Sequence, residues 1–162
     1  MELHFRPYAR EDHERVLAIC LAAFAPIHEG FAAALGPALF RIHYAHWRED
    51  YAAMIAGWPP ADPVARVHLA CRGAEIAGFV ETRLDPANRA GEIHIMAVDP
   101  ALQRRGIGRR LCEFALDELR GRGATSASVG TGGDAAHAPA RALYAAAGFT
   151  RSVPAVHLFR LL

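Results

Sequence analysis

Apolar positions along the chain change their spacing several times, and each change marks an element. Residues 3–8 alternate, Leu3 and Phe5 against His4 and Arg6, and Pro7 closes a short first strand. Val16, Leu17, Ile19, Cys20 and Phe24 then recur at helical spacing. This predicts a helix over 12–25, capped by Asp12 and closed by Pro26. Helical spacing continues over 32–56, interrupted at Gly36-Pro37. The aromatic residues Phe31, Phe40, Tyr44, Trp47 and Tyr51 spread along it serve chiefly to pack helix against helix. Residues 57–63 are too rich in proline for either regular element.

The period then drops to two. Residues 64–71 and 75–84, separated by Arg72-Gly73-Ala74, predict an antiparallel hairpin. After a turn at 85–89, residues 92–98 read as a strand with Ile93, Ile95 and Ala97 on one face and Glu92, His94 and Met96 on the other. Leu111, Phe114, Ala115, Glu118 and Leu119 restore the helical period until Gly121 and Gly123. A short strand follows over 126–131. Pro139 suits the first turn of a last helix carrying Ala140, Leu143, Tyr144 and Ala147, which Gly148 stops, and residues 156–162 read as a final strand. One mixed α/β domain over 1–162 is the expectation.

Composition narrows the function classes. The 162 residues are 52% hydrophobic and 22% charged with net charge +1, which excludes a disordered chain and any strong pull toward nucleic acid or anionic membranes. Cys20, Cys71 and Cys112 are far apart, at neither disulfide nor zinc spacing. His43 and His46 lack a third ligand, so no metal is expected. With no basic-then-apolar leader and no run of eighteen uninterrupted apolar residues, the expected setting is the reducing cytoplasm.

The densest chemistry lies between the strand at 92–98 and the next helix. Gly106 and Gly108 let the backbone turn with several N–H groups on one side, and the helix starting there adds its positive end. Arg104, Arg105, Arg109 and Arg110 stand around the same turn. Such a turn suits a pyrophosphate. A dinucleotide GxGxxG would need a third glycine where Leu111 stands, and a Walker loop needs a lysine, of which the chain has none.

Gln103-Arg-Arg-Gly106-Ile-Gly108, preceded by Ala97-Val98-Asp99-Pro100, resembles the QxxGxG acyl-CoA loop of the GNAT superfamily of N-acetyltransferases. Residues 140–149 are similar to that family's AxxLYxxxGF segment, and the opening Phe5-Arg6-Pro7 is similar to its first strand. The resemblance covers nearly the whole chain. It implies a mixed, mostly antiparallel twisted sheet flanked by helices on both faces, and direct acetyl transfer from acetyl-CoA to a primary amine of a small molecule or peptide. It further implies that the fourth strand splays from the fifth at a bulge. The backbone of Met96, Ala97 and Val98 would hold the pantetheine, and the amides of Arg104, Arg105, Gly106, Ile107, Gly108 and Arg109 the pyrophosphate.

By the same resemblance Tyr144 would be the general acid for the departing thiolate. Glu92 is the preferred base, with His94 in reserve and water a third route. His137 stands where the family commonly has a cofactor-contacting Asn, and contact with CoA is its expected role. The Gly130–Asp134 loop is left open between shaping the acceptor pocket and turning the chain. A non-catalytic acyl-CoA-binding module is the rival reading, a homodimeric interaction protein a third; many relatives dimerise.

Overall fold

In the computed structural model, which describes residues 2–58 and 62–162, five strands form one sheet in chain order. They are β1 (Leu3–Pro7), β2 (Ala65–Arg72), β3 (Glu75–Asp85), β4 (Ala90–Val98) and β5 (Ser126–Val129). The first four are antiparallel and β4 to β5 is parallel, so the sheet is mixed as expected. The parallel step needs a crossover, which α3 (Ile107–Gly121) supplies. Residues 59–61 of the proline-rich turn lie outside the described residues.

Both faces of the sheet are covered. On one, α1 (His13–Tyr44) and α2 (Trp47–Ala56) bring Val16, Ile19, Cys20 and Ile55 against Val67, Leu69, Phe79 and Ala97. On the other, α3 and α4 (Ala138–Ala146) bring Leu111, Cys112, Ala115, Leu119 and Tyr144 against Ala70, Val80 and Ile93. The three cysteines are free and buried.

The alternation expected for β4 does not hold along its whole length. Glu81 of β3 pairs with Ile95 and Thr82 with Ile93, leaving His94 as an extra residue, a β-bulge. A bulge shifts the side-chain phase by one. Ile93 therefore faces α3, while Ile95 and Ala97 face α1, and Met96 and Val98 rejoin the α3 side.

Three boundaries also differ. Pro26 lies inside α1 instead of ending it: it forfeits one hydrogen bond within an alanine-rich run that otherwise favours helix. The break comes at Gly36, whose φ of 71° and ψ of 168° leave the helix just before Pro37. Asp12 puts no side-chain cap on α1. Its carboxylate turns back to the Ala9 amide (2.9 Å) and takes both Arg6 nitrogens (2.7 Å each), locking the corner from β1 to α1. Finally, residues 156–162 form no strand. Val153, Val156 and Leu158 are exposed, and only Phe159 packs, edge-on to His43 at 5.0 Å. A helical stretch over Arg10–Tyr44 reaches a mean hydropathy of 1.7, the length and apolarity of a membrane span, and its packing on the sheet uses one face of it.

Between α1 and α2 the expected aromatic packing centres on a residue the periodicity did not single out. His28, 7% exposed, stacks on Trp47 (4.2 Å, 7°) with Phe31, Tyr44 and Tyr51 edge-on around it. Among the described residues neither ring nitrogen has a partner. Burial holds its pKa below the ordinary value, Arg48 adds to this, and Asp50 opposes it. A neutral buried imidazole must gain a proton to match the unfolded chain in acid, so stability falls as pH drops below about 6.5. Urea denaturation from pH 7.5 to 5 should show that loss. It should be smaller in His28→Phe, which keeps only the part owed to His68, shifted in the same direction by burial.

Candidate active site

The chain leaves β4 at Val98 and turns into α3. Asp99 Oδ1 accepts from the Ala101 amide at 2.9 Å, seating Pro100–Leu102 in a 3-10 turn, and its other oxygen pairs with Arg15 of α1. Gln103 Nε2 donates back to the Val98 carbonyl at 3.2 Å, which closes the turn. Arg104 and Gly106 then adopt positive φ, 58° and 77°. Glycine does so freely, whereas at Arg104 this backbone costs about 1–2 kcal/mol, strain held by the surrounding turn.

The consequence is a row of six unused donors. Among the described residues, no amide from 104 to 109 has a hydrogen-bond acceptor, and the first backbone bond belongs to Arg110, which donates to Gly106 O at 3.1 Å. These N–H groups sit at the positive end of α3, the chemistry that binds phosphate oxygens. Ile107 is buried and pins the helix start to the core. A Cβ on Gly108 would approach Leu143 Cδ1 to 3.0 Å, so α4 packs tightly here.

The four arginines expected around the turn divide. Arg104 and Arg105 are exposed beside it. Arg109 Nε is engaged by Glu113 at 2.8 Å, and its amide remains with the row. Arg110 is not part of the site: its NH2 donates to Leu3 O at 3.1 Å, fastening α3 to β1.

Immediately before this turn β4 loses its parallel partner. Pairing with β5 runs from Ala90↔Ser126 to Ile93↔Val129 and stops one residue short of the bulge. Past that point the strand edge through Met96, Ala97 and Val98 has no neighbouring strand, leaving backbone groups available to an extended ligand. β3 closes tightly on the other side, because a Cβ on Gly78 would sit 2.6 Å from Ala97 O.

On the α3 side of the sheet lies Tyr144, 8% exposed, edge-on to Phe149 at 5.8 Å. Burial, with Cys112 adding, pushes its phenol up to about 12. Its hydroxyl has no hydrogen-bond partner among the described residues. His137 lies two turns earlier on the same helix stripe. Its Nδ1 is 2.5 Å from Asp134 Oδ2, which leaves Nε2 as the ring's open nitrogen. Burial alone would raise the Asp134 pKa, but the His137 contact outweighs it and holds the carboxyl below its usual range.

The Gly130–Asp134 loop thereby acquires a structural role. Asp134 accepts from the Ala136 and His137 amides, and Arg141 NH1 donates to the carbonyls of Gly132 (2.6 Å) and Asp134 (2.7 Å). Any Cβ on Gly132 would collide with His137 Nδ1 at 2.4 Å.

Glu92 and His94 share the α1 face, with Glu92 Oε1 and His94 Nδ1 3.4 Å apart and Glu92 44% exposed. Their spacing of two places both on one side, and the bulge brings Ile95 to the same face. Beside them lies a pair that sequence reasoning missed. Glu81, 1% exposed, accepts from Trp58 Nε1 at 2.9 Å and from Arg83 Nε at 2.7 Å. The signal was there, a glutamate at an inward position of an otherwise apolar strand with an arginine two residues on. His157 is exposed in the C-terminal segment.

The sequence model of the Acetyltransferase (GNAT) family matches residues 32–149. A mycothiol acetyltransferase of Streptomyces bingchenggensis is 40% identical over 94 residues, covering 58% of this chain and 30% of that protein. The N-alpha-acetyltransferase RimI of Mycobacterium tuberculosis is 50% identical over 60 residues, 37% of this chain and 35% of that protein. The chain spans about a third of the length of these relatives. The PaiA N-acetyltransferase from Thermoplasma acidophilum, solved in complex with coenzyme A, shares the fold at TM-score 0.66 and 15% identity, over 93% and 91% of the two chains. With a strand edge and a helix start arranged as described, and the family model spanning most of its length, the chain belongs to the GNAT acetyltransferase family.

Proposed function

We propose that this chain transfers an acetyl group from acetyl-CoA to a primary amine. The observation that carries the reading is the row of six unpartnered amides over 104–109 at the start of α3. In this reading those amides hold the pyrophosphate, with Arg104 and Arg105 beside it, and the free edge of Met96, Ala97 and Val98 holds the pantetheine arm. His137 offers Nε2 to the same ligand. The thioester supplies an activated acetyl carbon. Glu92, or His94 beside it, accepts the proton that the amine must shed before its nitrogen bonds to that carbon. Tyr144 donates a proton to the sulfur as the carbon–sulfur bond breaks, and the second proton shed by the acylated nitrogen restores its phenol. Two faces of the sheet thus act together through the gap between β4 and β5, with no covalent intermediate on the protein. Relatives named mycothiol acetyltransferase and N-alpha-acetyltransferase RimI support an acceptor of either small-molecule or peptide kind. Three buried free thiols suit a reducing cytoplasmic setting.

Calorimetric titration with CoA, followed by thiol release from acetyl-CoA across a panel of amines, tests this. Saturable CoA binding with amine-dependent thiol release is expected. Tight binding with no release from any amine would instead favour a non-catalytic acyl-CoA-binding module. Glu92→Gln should lower kcat by about 100-fold at pH 7, the lower end of the range for a general base, with CoA affinity unchanged. Recovery of much of that loss as pH rises and the amine deprotonates unaided would identify the missing step.

A further inference from the structure

Along the α1 face of β3 the inward positions are Phe79, Glu81 and Arg83. A carboxylate as enclosed as Glu81 is stable only when its oxygens are satisfied. Trp58 takes one and Arg83 Nε the other. A purely structural arginine would turn its fork inward and use both ends on the buried acid. Arg83 does not. Its side chain is 41% exposed, and among the described residues neither NH1 nor NH2 has an acceptor. The guanidinium is fixed in direction by a buried anchor and leaves two parallel donors open to solvent.

The register sets what those donors face. Arg83 stands directly opposite Glu92 on β4. Directly opposed residues project side by side, with Cβ atoms about 4.5–5.5 Å apart. Yet Glu92 pairs with His94 and makes no ion pair with Arg83. One face therefore presents an open carboxylate with an imidazole and, one strand over, an open guanidinium fork.

We infer that Arg83 is a specificity-determining residue that binds a carboxylate of the acceptor. The preferred acceptor is then an amine carrying a carboxylate a few bonds away, whose amine end lies at Glu92 and His94. Glu81 and Trp58 are positioning residues for that fork. The inference rests on the amine-acetylation reading above and specifies its acceptor class. A planar fork matches a carboxylate in two parallel hydrogen bonds, which a lysine ammonium cannot reproduce.

The test uses matched amines with and without the carboxylate: tyrosine against tyramine, arginine against agmatine, and Ala-Glu against Ala-Gln peptides blocked at their C-termini. Two readouts are taken, the kcat/KM for acetylation and calorimetric binding of each amine to the CoA-loaded protein. The wild type should favour the carboxylated member of one matched set by about 10- to 100-fold, the range for hydrogen bonds to a charged group. Whether the free amino acids or the acidic peptide lead identifies the source of the carboxylate.

In Arg83→Met the ratio should collapse toward one. Arg83→Lys, which keeps a positive charge beside Glu81 should the methionine variant fold poorly, should retain only part of it. Equal kcat/KM and binding for both members in the wild type, or a ratio that survives in both variants, overturns the inference. Selective binding without acetylation would support it and overturn the transfer reading. Acetylation without selectivity would do the reverse.

Discussion

Tyr144→Phe is expected to lower kcat by about 10²- to 10³-fold, within the range for general acid catalysis, while CoA affinity changes less than about twofold. The substitution removes one oxygen and leaves the ring that packs against Phe149 and the α3 core. Because the hydroxyl has no partner among the described residues, its loss strands no buried donor or acceptor, and thermal stability should barely move. The pKa near 12 fixes the form of the pH dependence. The phenol remains protonated across the working range, so activity should climb as the amine deprotonates and show no descending limb below about pH 10. Steady-state rates from pH 6 to 10 for both proteins check this. A variant with unchanged kcat would reduce Tyr144 to a packing residue.

Gly78→Ala should damage stability and cofactor affinity together. The added Cβ would meet Ala97 O at 2.6 Å and Val98 Cα at 3.2 Å, both main-chain atoms of β4 that cannot swing aside. Overpacking of this kind costs about 1–3 kcal/mol. β4 is free to move only toward its unpaired side, which is where the pantetheine arm would lie, so CoA affinity should fall at least about tenfold in the folded protein. Gly91→Ala provides the control. Its Cβ would press on the Leu119 side chain at 2.9 Å, at the far end of the same strand where β5 is still paired. Chemical denaturation should register destabilisation in both variants, whereas calorimetry under folding conditions should find weakened CoA binding only in Gly78→Ala. Equal affinities in the two would disconnect the β4 edge from the ligand.

How much of this was legible in the sequence depends on whether the signal was local. The β2–β3 hairpin and the glycine turn at 106–108 are specified by neighbouring residues, and both form where spacing places them. The break at Gly36 is equally local. Pro26 misleads because proline's effect on a helix is decided by how much favourable helix surrounds it, here an alanine-rich run. The family resemblance implies a bulge in β4, but nothing in the local spacing marks it at His94. It arises from pairing with β3, a long-range event, and it reverses the predicted face of Ile93 relative to Ile95. Residues 156–162 alternate well enough for a strand but find no paired neighbour, and alternation alone does not make a sheet. Tyr144, Glu92 and His137 are candidates that the family resemblance implies, whereas Arg83 and Glu81 become visible only once cross-strand partners are known.

The additional residue at His94 also makes the chain's length count differently at two places a few positions apart. Deleting His94 would let β4 run in step with β3 with Met96 and Val98 still opposite Val80 and Gly78 in the α3 layer, but it would remove the kink at which the strand parts from β5. Lengthening the hairpin tip at 85–89 would alter neither phase nor separation. Homologous chains can therefore drift in size at that tip, while the stretch just beyond it must keep its exact tally of residues.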